Sequence, residues 1–329
     1  MKDLTTIVID TKGADAGAGV LIAGAAQALE KFPDLGVLLV GNAEEISAIC
    51  QEKNMPMSRV EILDAPDQIT NFDHPAEALY QKTESSMLKG LQALSQREEL
   101  FGMLSAGNTA VLLTGAMRYL SGKERVRPVL AAVLPAANGC FTCVVDTGAT
   151  IDCNPTMLHH FARLGSAFMR DMYGIESPKI GLLSNGAEAS KGNKLVKETH
   201  PLLAADESLN FIGNVEGSNA LSGICDVLVC DGFAGNQVLK VTEGTATRII
   251  TDIVKYAKRT GSQEIMTLAG HLMGVYDISG LGGGNILGAA KPIIKLRGNA
   301  GEKTIVGTAE MLLNMARNEA VFDKARNKI

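Results

Sequence analysis

Short apolar runs alternate with segments of helical spacing along most of this chain of 329 residues. In the first third, the apolar runs are Thr5–Asp10, 36–40 and 60–63, and helical patterns over 19–31 and 43–53 lie between them. Parallel strands need long crossover connections, which are usually helices that pack on the faces of the sheet. The alternation therefore predicts an α/β fold with a mostly parallel sheet.

The same pattern continues to the end of the chain. We expect further strands at 100–105, 128–134, 141–146, 179–183, 209–213 and 226–230, and helices at 77–94, 110–120, 155–173, 191–203, 235–258 and 302–325. Asn138-Gly139 between two apolar runs predicts a hairpin turn. Because no repeat or low-complexity linker interrupts the pattern, we expect one large α/β domain over residues 1–329.

The composition excludes several classes of function. The formal net charge of -5 gives no reason to expect nucleic acid as a partner. No uninterrupted apolar stretch reaches about 18 residues, so we expect neither a membrane-spanning helix nor a signal peptide. The six scattered cysteines are expected to be reduced thiols, which predicts a cytoplasmic protein.

Familiar nucleotide and metal motifs are absent from the sequence. There is no GxxxxGK[ST], no GxGxxG follows the first strand, and the five histidines do not have metal-ligand spacing. We therefore expect no cofactor and no metal.

Small residues occupy three turns that follow predicted strands, at 105–109 (SAGNT), 184–193 and 231–236 (DGFAGN). Ligands of parallel sheets bind beyond the carboxyl ends of the strands. Small residues let backbone N–H groups approach an anion, and a following helix start adds partial positive charge. Lys191 lies in the second turn and can pair with phosphate. These turns suit a phosphate or an oxyanion better than a metal or a dinucleotide.

Residues 263–275 place five apolar side chains on one helical stripe. The stripe consists of Ile265, Leu268, Ala269, Leu272 and Met273. Such a stripe is typical of a core-facing helix. Because Lys255, Lys258 and Arg259 lie just upstream, a surface that docks on a membrane or a protein is the second interpretation.

The turns belong to a longer series of motifs that spans almost the whole chain. In order, the stretches are 82–87 (KTESSM), 105–109 (SAGNT), 127–135 (RPVLAAVLP), 152–155 (DCNP), 191–193 (KGN), 211–217 (FIGNVEG) and 230–236 (CDGFAGN). This series resembles the PlsX family, the phosphate acyltransferases of bacterial phospholipid synthesis.

The resemblance implies an activity and an architecture. The reaction would transfer an acyl group from acyl-[acyl carrier protein] to inorganic phosphate, giving acyl phosphate. The fold would be a Rossmann-like, three-layer αβα arrangement of the isocitrate dehydrogenase and isopropylmalate dehydrogenase type, with a protruding helical hairpin at about 250–285. The resemblance also implies a homodimer that contacts the inner face of the membrane peripherally through about 255–285.

The resemblance, together with the turns, implies a set of site residues. A thioester carbonyl must be held against phosphate, and the tetrahedral oxyanion must be stabilised. The expected catalytic residues are Lys191, which would neutralise phosphate or the oxyanion or protonate the leaving thiolate, and Asp231 and Asn236, which would orient Lys191 or the phosphate. The expected phosphate-binding residues are Ser105, Gly107, Asn108, Thr109, Lys82, Ser85 and Ser86.

Three loops depart from the family pattern. They are the first turn with Lys12, the loop Ser184-Asn-Gly-Ala-Glu188, and Arg297-Gly-Asn299 near the C-terminus. Two alternative functions therefore stay open: a short-chain phosphate acyltransferase acting on acetyl or similar thioesters of coenzyme A or a protein carrier, as in glycine reductase complexes, and a non-catalytic thioester-binding scaffold. A membrane-surface adaptor is a third class.

Overall fold

The computed structural model describes residues 4–121, 127–276 and 283–326. The strands in chain order are β1 (Thr5–Asp10), β2 (Leu35–Gly41), β3 (Val60–Asp64), β4 (Leu100–Ser105), β5 (Val129–Pro135), β6 (Phe141–Val145), β7 (Lys179–Ser184), β8 (Asn210–Glu216), β9 (Val227–Val229), β10 (Gly284–Leu287) and β11 (Ile293–Lys295). The helices are α1 (Ala18–Lys31), α2 (Ala43–Glu52), α3 (Pro75–Gln81), α4 (Ser86–Gln96), α5 (Thr109–Tyr119), α6 (Pro155–Tyr173), α7 (Lys194–Ala204), α8 (Gly232–Thr260), α9 (Gln263–Tyr276) and α10 (Glu302–Arg326).

The chain divides into two compact units. The first comprises Met1–Pro128 and Ser279–Ile329, and the second comprises Val129–Ile278. In the first unit the strand order is β3-β2-β1-β4-β11-β10, with β10 antiparallel to β11 and the other pairs parallel. In the second unit the order is β5-β6-β9-β7-β8, with an antiparallel β5–β6 pair beside parallel pairs. The expectation of a mostly parallel α/β fold is confirmed.

Helices cover both faces of the sheet in the first unit. Ile7 and Ile9 of β1 lie in a buried cluster with residues of α1 and α10. Val8 points to the other face, where it lies next to Gly90 of α4. Since side chains alternate along a strand, the unbroken apolar run of β1 is what a strand covered on both sides requires.

Several predicted element boundaries need correction. The helix expected over 77–94 is two helices, α3 and α4, because the chain turns at Lys82–Ser85, where the Ser85 N–H donates to the Lys82 carbonyl. The helix expected from Lys191 begins at Lys194, after the N-cap Asn193. Conversely, α8 begins at Gly232, three residues earlier than expected. The strands β10 and β11 were not expected.

The expected hairpins are both present. Asn138 adopts a φ of 61° in the turn between β5 and β6. Helices α8 and α9 pack against each other and are joined by Gly261 and Ser262, with Gly261 at a φ of 67°. Residues 277–282 of the expected protrusion lie outside the described residues.

The apolar stripe of α9 is only partly covered in this chain. Ala269 is fully buried, but Leu268 and Met273 are each about half exposed. The core interpretation is therefore wrong for those two side chains. Among the described helices, none has both the length and the apolar character needed to cross a membrane.

Candidate active site

Three strands of the first unit end side by side with polar residues. The register pairs Asp10 of β1 with Ser105 of β4, and Ser105 in turn with Lys295 of β11. All three are the last residues of parallel strands, so they lie on the edge of the sheet at which ligands of such folds bind. Together with Ser86 they form what we call the strand-end cluster.

Asp10 is at the centre of the cluster and is almost fully buried. Its carboxylate accepts hydrogen bonds from the hydroxyls of Ser86 and Ser105, each 2.6 Å away, and from the Lys12 N–H at 3.1 Å. Burial raises the pKa of Asp10, and these hydrogen bonds oppose that rise. Because each serine hydroxyl has one proton and donates it to Asp10, both serines hold Asp10 and do not offer that proton to a phosphate.

Lys295 is the partly buried cation of the cluster. Its ammonium donates to the carbonyls of Ala106, at 3.2 Å, and Leu296. Burial lowers its pKa to about 8, although the charges of Asp10 and Asp15 act in the opposite direction. Two carbonyl partners leave one ammonium proton of the three for a ligand.

Glycines bring three loops of this unit together. A Cβ on Gly13 would lie 2.5 Å from the backbone nitrogen of Gly107, so no side chain fits between these turns. The Asp15 N–H donates to the Gly298 carbonyl at 2.7 Å. The turns after β1, β4 and β11 therefore converge. Of the three turns singled out in the sequence, 105–109 belongs to this unit, and 184–193 and 231–236 belong to the second unit. Lys12, the added charge of the first turn, forms an ion pair with Glu45.

The buried Asp10 gives a testable pH dependence of stability. A carboxyl group whose folded pKa is raised contributes most to stability below its unfolded pKa, and that contribution is lost as the pH rises through the folded pKa. We therefore expect the melting temperature of D10N, relative to the unmodified protein, to increase as the pH rises from about 4, the ordinary pKa of an aspartate, towards neutral pH. The Asp152→Asn substitution, which changes an exposed carboxyl group, is the control. A D10N difference that stays constant or decreases over this range would contradict the assignment.

The other predicted phosphate-binding residues have mixed surroundings. Lys82 pairs with Asp73 at 2.7 Å and donates to the Gln68 carbonyl, so its ammonium is bound to the 68–73 loop. The Asn108 side chain accepts from two N–H groups at the start of α5 and donates to the carbonyls of Thr70 and Asp73. The two residues therefore hold the 68–73 loop and cap α5.

Ser85, Gly107 and Thr109 are differently placed. The Ser85 hydroxyl is buried and has no hydrogen-bond partner, although it immediately precedes α4. Gly107 lies against Ser105 and Met87, and Thr109 is the first residue of α5. Among the predicted phosphate-binding residues, Ser85 thus has a hydroxyl proton that it can donate to an anion.

The second unit has its own buried carboxylate. Asp146 follows β6 and accepts from the N–H groups of Gly148, Ala149 and Thr150 at 2.6–3.0 Å. Burial raises its pKa while these backbone hydrogen bonds lower it. The start of α8 packs on this loop, since a Cβ on Gly235 would lie 1.8 Å from the Asp146 carbonyl oxygen.

The predicted catalytic residues all belong to this second unit. Asp231 is the N-cap of α8 and accepts from the Ala234 N–H at 2.8 Å. Asn236 lies in the first turns of α8, with its Cβ near Gly148. Lys191 is exposed, and its N–H donates to the Glu188 carbonyl. The structure shows no hydrogen bond between the side chains of Lys191 and Asp231, both of which lie in the described part of the chain.

A cavity of about 630 Å³ lies where the loops after β7, β8 and β9 meet. We call it the α7–α8 cavity. Its polar side is formed by Ser184, Asn185, Asn193 and Asp231. Its other lining residues are Leu158, Leu183, Gly192, Leu195, Val196, Gly217, Cys230, Ala234 and Val238. Lys191 and Asn236 are not among its lining residues.

Sequence reasoning did not select Asp10, Asp146 or Lys295 as site residues, although Asp146 was considered as either a turn residue or a catalytic one. Asp10 ends the clearest strand of the chain, so its position at a strand tip was readable. For Lys295 the signal was weak, because β11 has only three residues and a two-residue periodicity cannot be recognised over that length.

Comparison with known proteins identifies the family. The family model described as "Fatty acid synthesis protein" matches residues 5–321. The phosphate acyltransferase of Caldanaerobacter subterraneus subsp. tengcongensis is 35% identical over 96% of this chain and 95% of that protein. The phosphate acyltransferase of Clostridium novyi is 33% identical over 98% of each chain, and that of Streptococcus pneumoniae is 36% identical over 97% and 98%.

Solved structures with similar folds have much lower identity. A phosphotransacetylase from Streptococcus pyogenes has a TM-score of 0.65 at 18% identity, over 97% of this chain and 96% of that one. A 4-hydroxythreonine-4-phosphate dehydrogenase from Klebsiella pneumoniae has a TM-score of 0.56 at 14% identity, over 95% and 99%. These likenesses support the fold, and the full-length relatives decide the family. The resemblance seen in the motifs is confirmed: this chain belongs to the fatty acid synthesis protein family, that of the PlsX phosphate acyltransferases.

Proposed function

We propose that this chain transfers an acyl group from acyl-[acyl carrier protein] to inorganic phosphate, giving acyl phosphate and free carrier protein. Membership of the phosphate acyltransferase family supports this activity. The structural observation that carries it is the Lys295 ammonium, which lies at the strand ends beside Ser105 with one proton left for an anion.

Phosphate is a weak nucleophile, so the site must fix it against the thioester carbonyl. An ammonium group in a partly buried site binds an anion more strongly than one in water, because screening is weaker there. We assign phosphate to Lys295 and the turn Ser105–Thr109, with the Ser85 hydroxyl as a further donor. Asp10 keeps the two serines and the turn in place.

The reaction proceeds by attack of a phosphate oxygen on the thioester carbon. A C–O bond forms, the carbonyl electrons move onto oxygen, and the tetrahedral intermediate then collapses with cleavage of the C–S bond. The electron pair leaves with sulfur, and the thiolate takes up a proton. In the second unit, Asp231 caps α8 and Asn236 lies in its first turns, and the protonation of the thiolate by Lys191 stays a prediction from the sequence.

Thioester consumption with and without phosphate tests this function. We expect free thiol to be released from acyl-[acyl carrier protein] only when phosphate is present, and hydroxylamine to trap the product as a hydroxamate. Equal thiol release without phosphate, or no release at all, would overturn the proposal. Acetyl-CoA and long-chain acyl-CoA in parallel identify the donor, and a preference for acetyl-CoA would favour the short-chain alternative.

A homodimer and a peripheral membrane contact through about 255–285 belong to the same proposal. The α8–α9 hairpin supports the contact, because Tyr256, Leu268 and Met273 each expose about half of their surface. Co-sedimentation with anionic lipid vesicles tests it. Binding that is unchanged in the L268S/M273S variant would remove this assignment.

A further inference from the structure

We propose that the α7–α8 cavity binds the acyl chain of the thioester substrate. This inference rests on the proposed function, because it assigns a place to the apolar part of that substrate. All of its lining residues belong to the second unit.

The size and lining of the cavity favour an acyl chain. Its volume of about 630 Å³ is within the usual range for small-molecule sites. Leu158 of α6, Leu195 and Val196 of α7, and Val238 of α8 provide apolar side chains from three helices. An occupant that covers these side chains must itself be apolar, since a polar one would lose its hydrogen bonds to water.

One side of the cavity is polar, which matches a molecule with an apolar tail and a polar head. The Ser184 hydroxyl is buried there and has no hydrogen-bond partner. Buried hydroxyls without a hydrogen-bond partner are uncommon, so we expect this one to donate to an acceptor atom of a bound molecule. An oxygen atom at the polar end of the substrate is such an acceptor, and the acyl chain would then extend along the apolar lining.

The loop before α7, which borders the cavity, is closely packed and hydrogen-bonded. Gly192 has a φ of 102°, and a Cβ there would lie 2.4 Å from Val196 and 3.3 Å from the Ser184 oxygen. Its N–H donates to the Asn185 side chain at 2.8 Å, which fixes the loop. The cavity is therefore bordered by a held loop on one side and by α8 on the other.

Chain-length preference tests the proposal. Ala234 and Val238 lie one turn apart on α8 and both line the cavity. Val238→Phe fills part of the space, and each methylene group that loses its site should lower kcat/KM about fourfold. We expect the ratio of kcat/KM for palmitoyl to that for butyryl thioester to fall tenfold or more. In Val238→Ala, which enlarges the cavity, the ratio should rise.

Val241→Phe is the matched control. It lies on the same helix three residues further on, is 63% exposed and does not line the cavity, so its ratio should be unchanged. Melting temperatures establish that each variant is folded. If V238F does not fold, the chain-length ratio of V238A alone tests the proposal. An unchanged ratio in an active V238F or V238A overturns the assignment.

Failure of the proposed function would look different. If the unmodified protein consumed no thioester of any length in a phosphate-dependent manner, the activity itself would be refuted. If it did so and the folded cavity variants kept its chain-length profile, the activity would stand and the acyl site would be refuted.

Discussion

Replacing Lys295 with methionine is expected to lower kcat/KM for phosphate by about 10²–10³-fold, the usual cost of removing one preorganised donor from a developing or bound anion. Methionine keeps the length and apolar stem of lysine but has no charge and no donor. The ammonium of Lys295 lies beside Ser105 at the strand ends, and its other donors are already bound by backbone carbonyls. Steady-state kinetics at varied phosphate and fixed acyl thioester measure the loss.

The same change at Lys31 is the control. Lys31 is about half exposed and pairs with Glu310 on the surface of the first unit, so K31M should leave the kinetics unchanged. A phosphate dependence of K295M that equals that of K31M would contradict the role of Lys295.

The pH profile provides a second readout for Lys295. Because its pKa is lowered to about 8, the ammonium loses its proton above that pH, and KM for phosphate should then rise. Arginine stays protonated in proteins, so in K295R the rise of KM for phosphate should occur at a higher pH. If KM for phosphate rose at the same pH in K295R, a group other than Lys295 would be the one that titrates.

Replacing Gly235 with alanine is expected to have the largest effect on stability. The added Cβ would lie 1.8 Å from the Asp146 carbonyl oxygen and 2.9 Å from the Cys230 sulfur. Neither the backbone of β6 nor that of α8 can move without disturbing the Asp146–Thr150 loop. We expect a loss of about 3 kcal/mol in the free energy of unfolding of the second unit, measured by denaturant titration.

Gly244 of the same helix is the matched control. A Cβ there meets no atom within 4 Å, so only helix propensity changes. We expect G244A to be stabilised by about 0.5–1 kcal/mol. If G235A were as stable as G244A, the close packing of α8 on the Asp146 loop would be wrong.

Much of the fold could be predicted because strands and helices have different hydrophobic periods. Thr5–Asp10 is a continuous β-branched run, and the structure places it as a strand covered on both faces. Asn138-Gly139 predicted a hairpin because these residues tolerate positive φ, and Asn138 adopts it. The break in the helix over 77–94 escaped prediction because the turn at Lys82–Ser85 contains neither glycine nor proline, the residues that most clearly mark a turn.

The candidate site was less predictable than the fold. Turn composition identified the segments around Ser105, Lys191 and Asp231, but it could not show which polar atoms already have partners. Lys82 forms an ion pair with Asp73, and Asp231 caps a helix. Lys295 gains its position from the pairing of β11 with β4, a relation between residues 190 positions apart that local pattern does not reveal.

A crystal structure with bound phosphate tests the central claim most directly. The account predicts phosphate density within hydrogen-bond distance of the Lys295 ammonium, at the carboxyl ends of β1, β4 and β11, and loss of that density in K295M crystals. Phosphate bound away from Lys295, or bound equally in K295M, would contradict it.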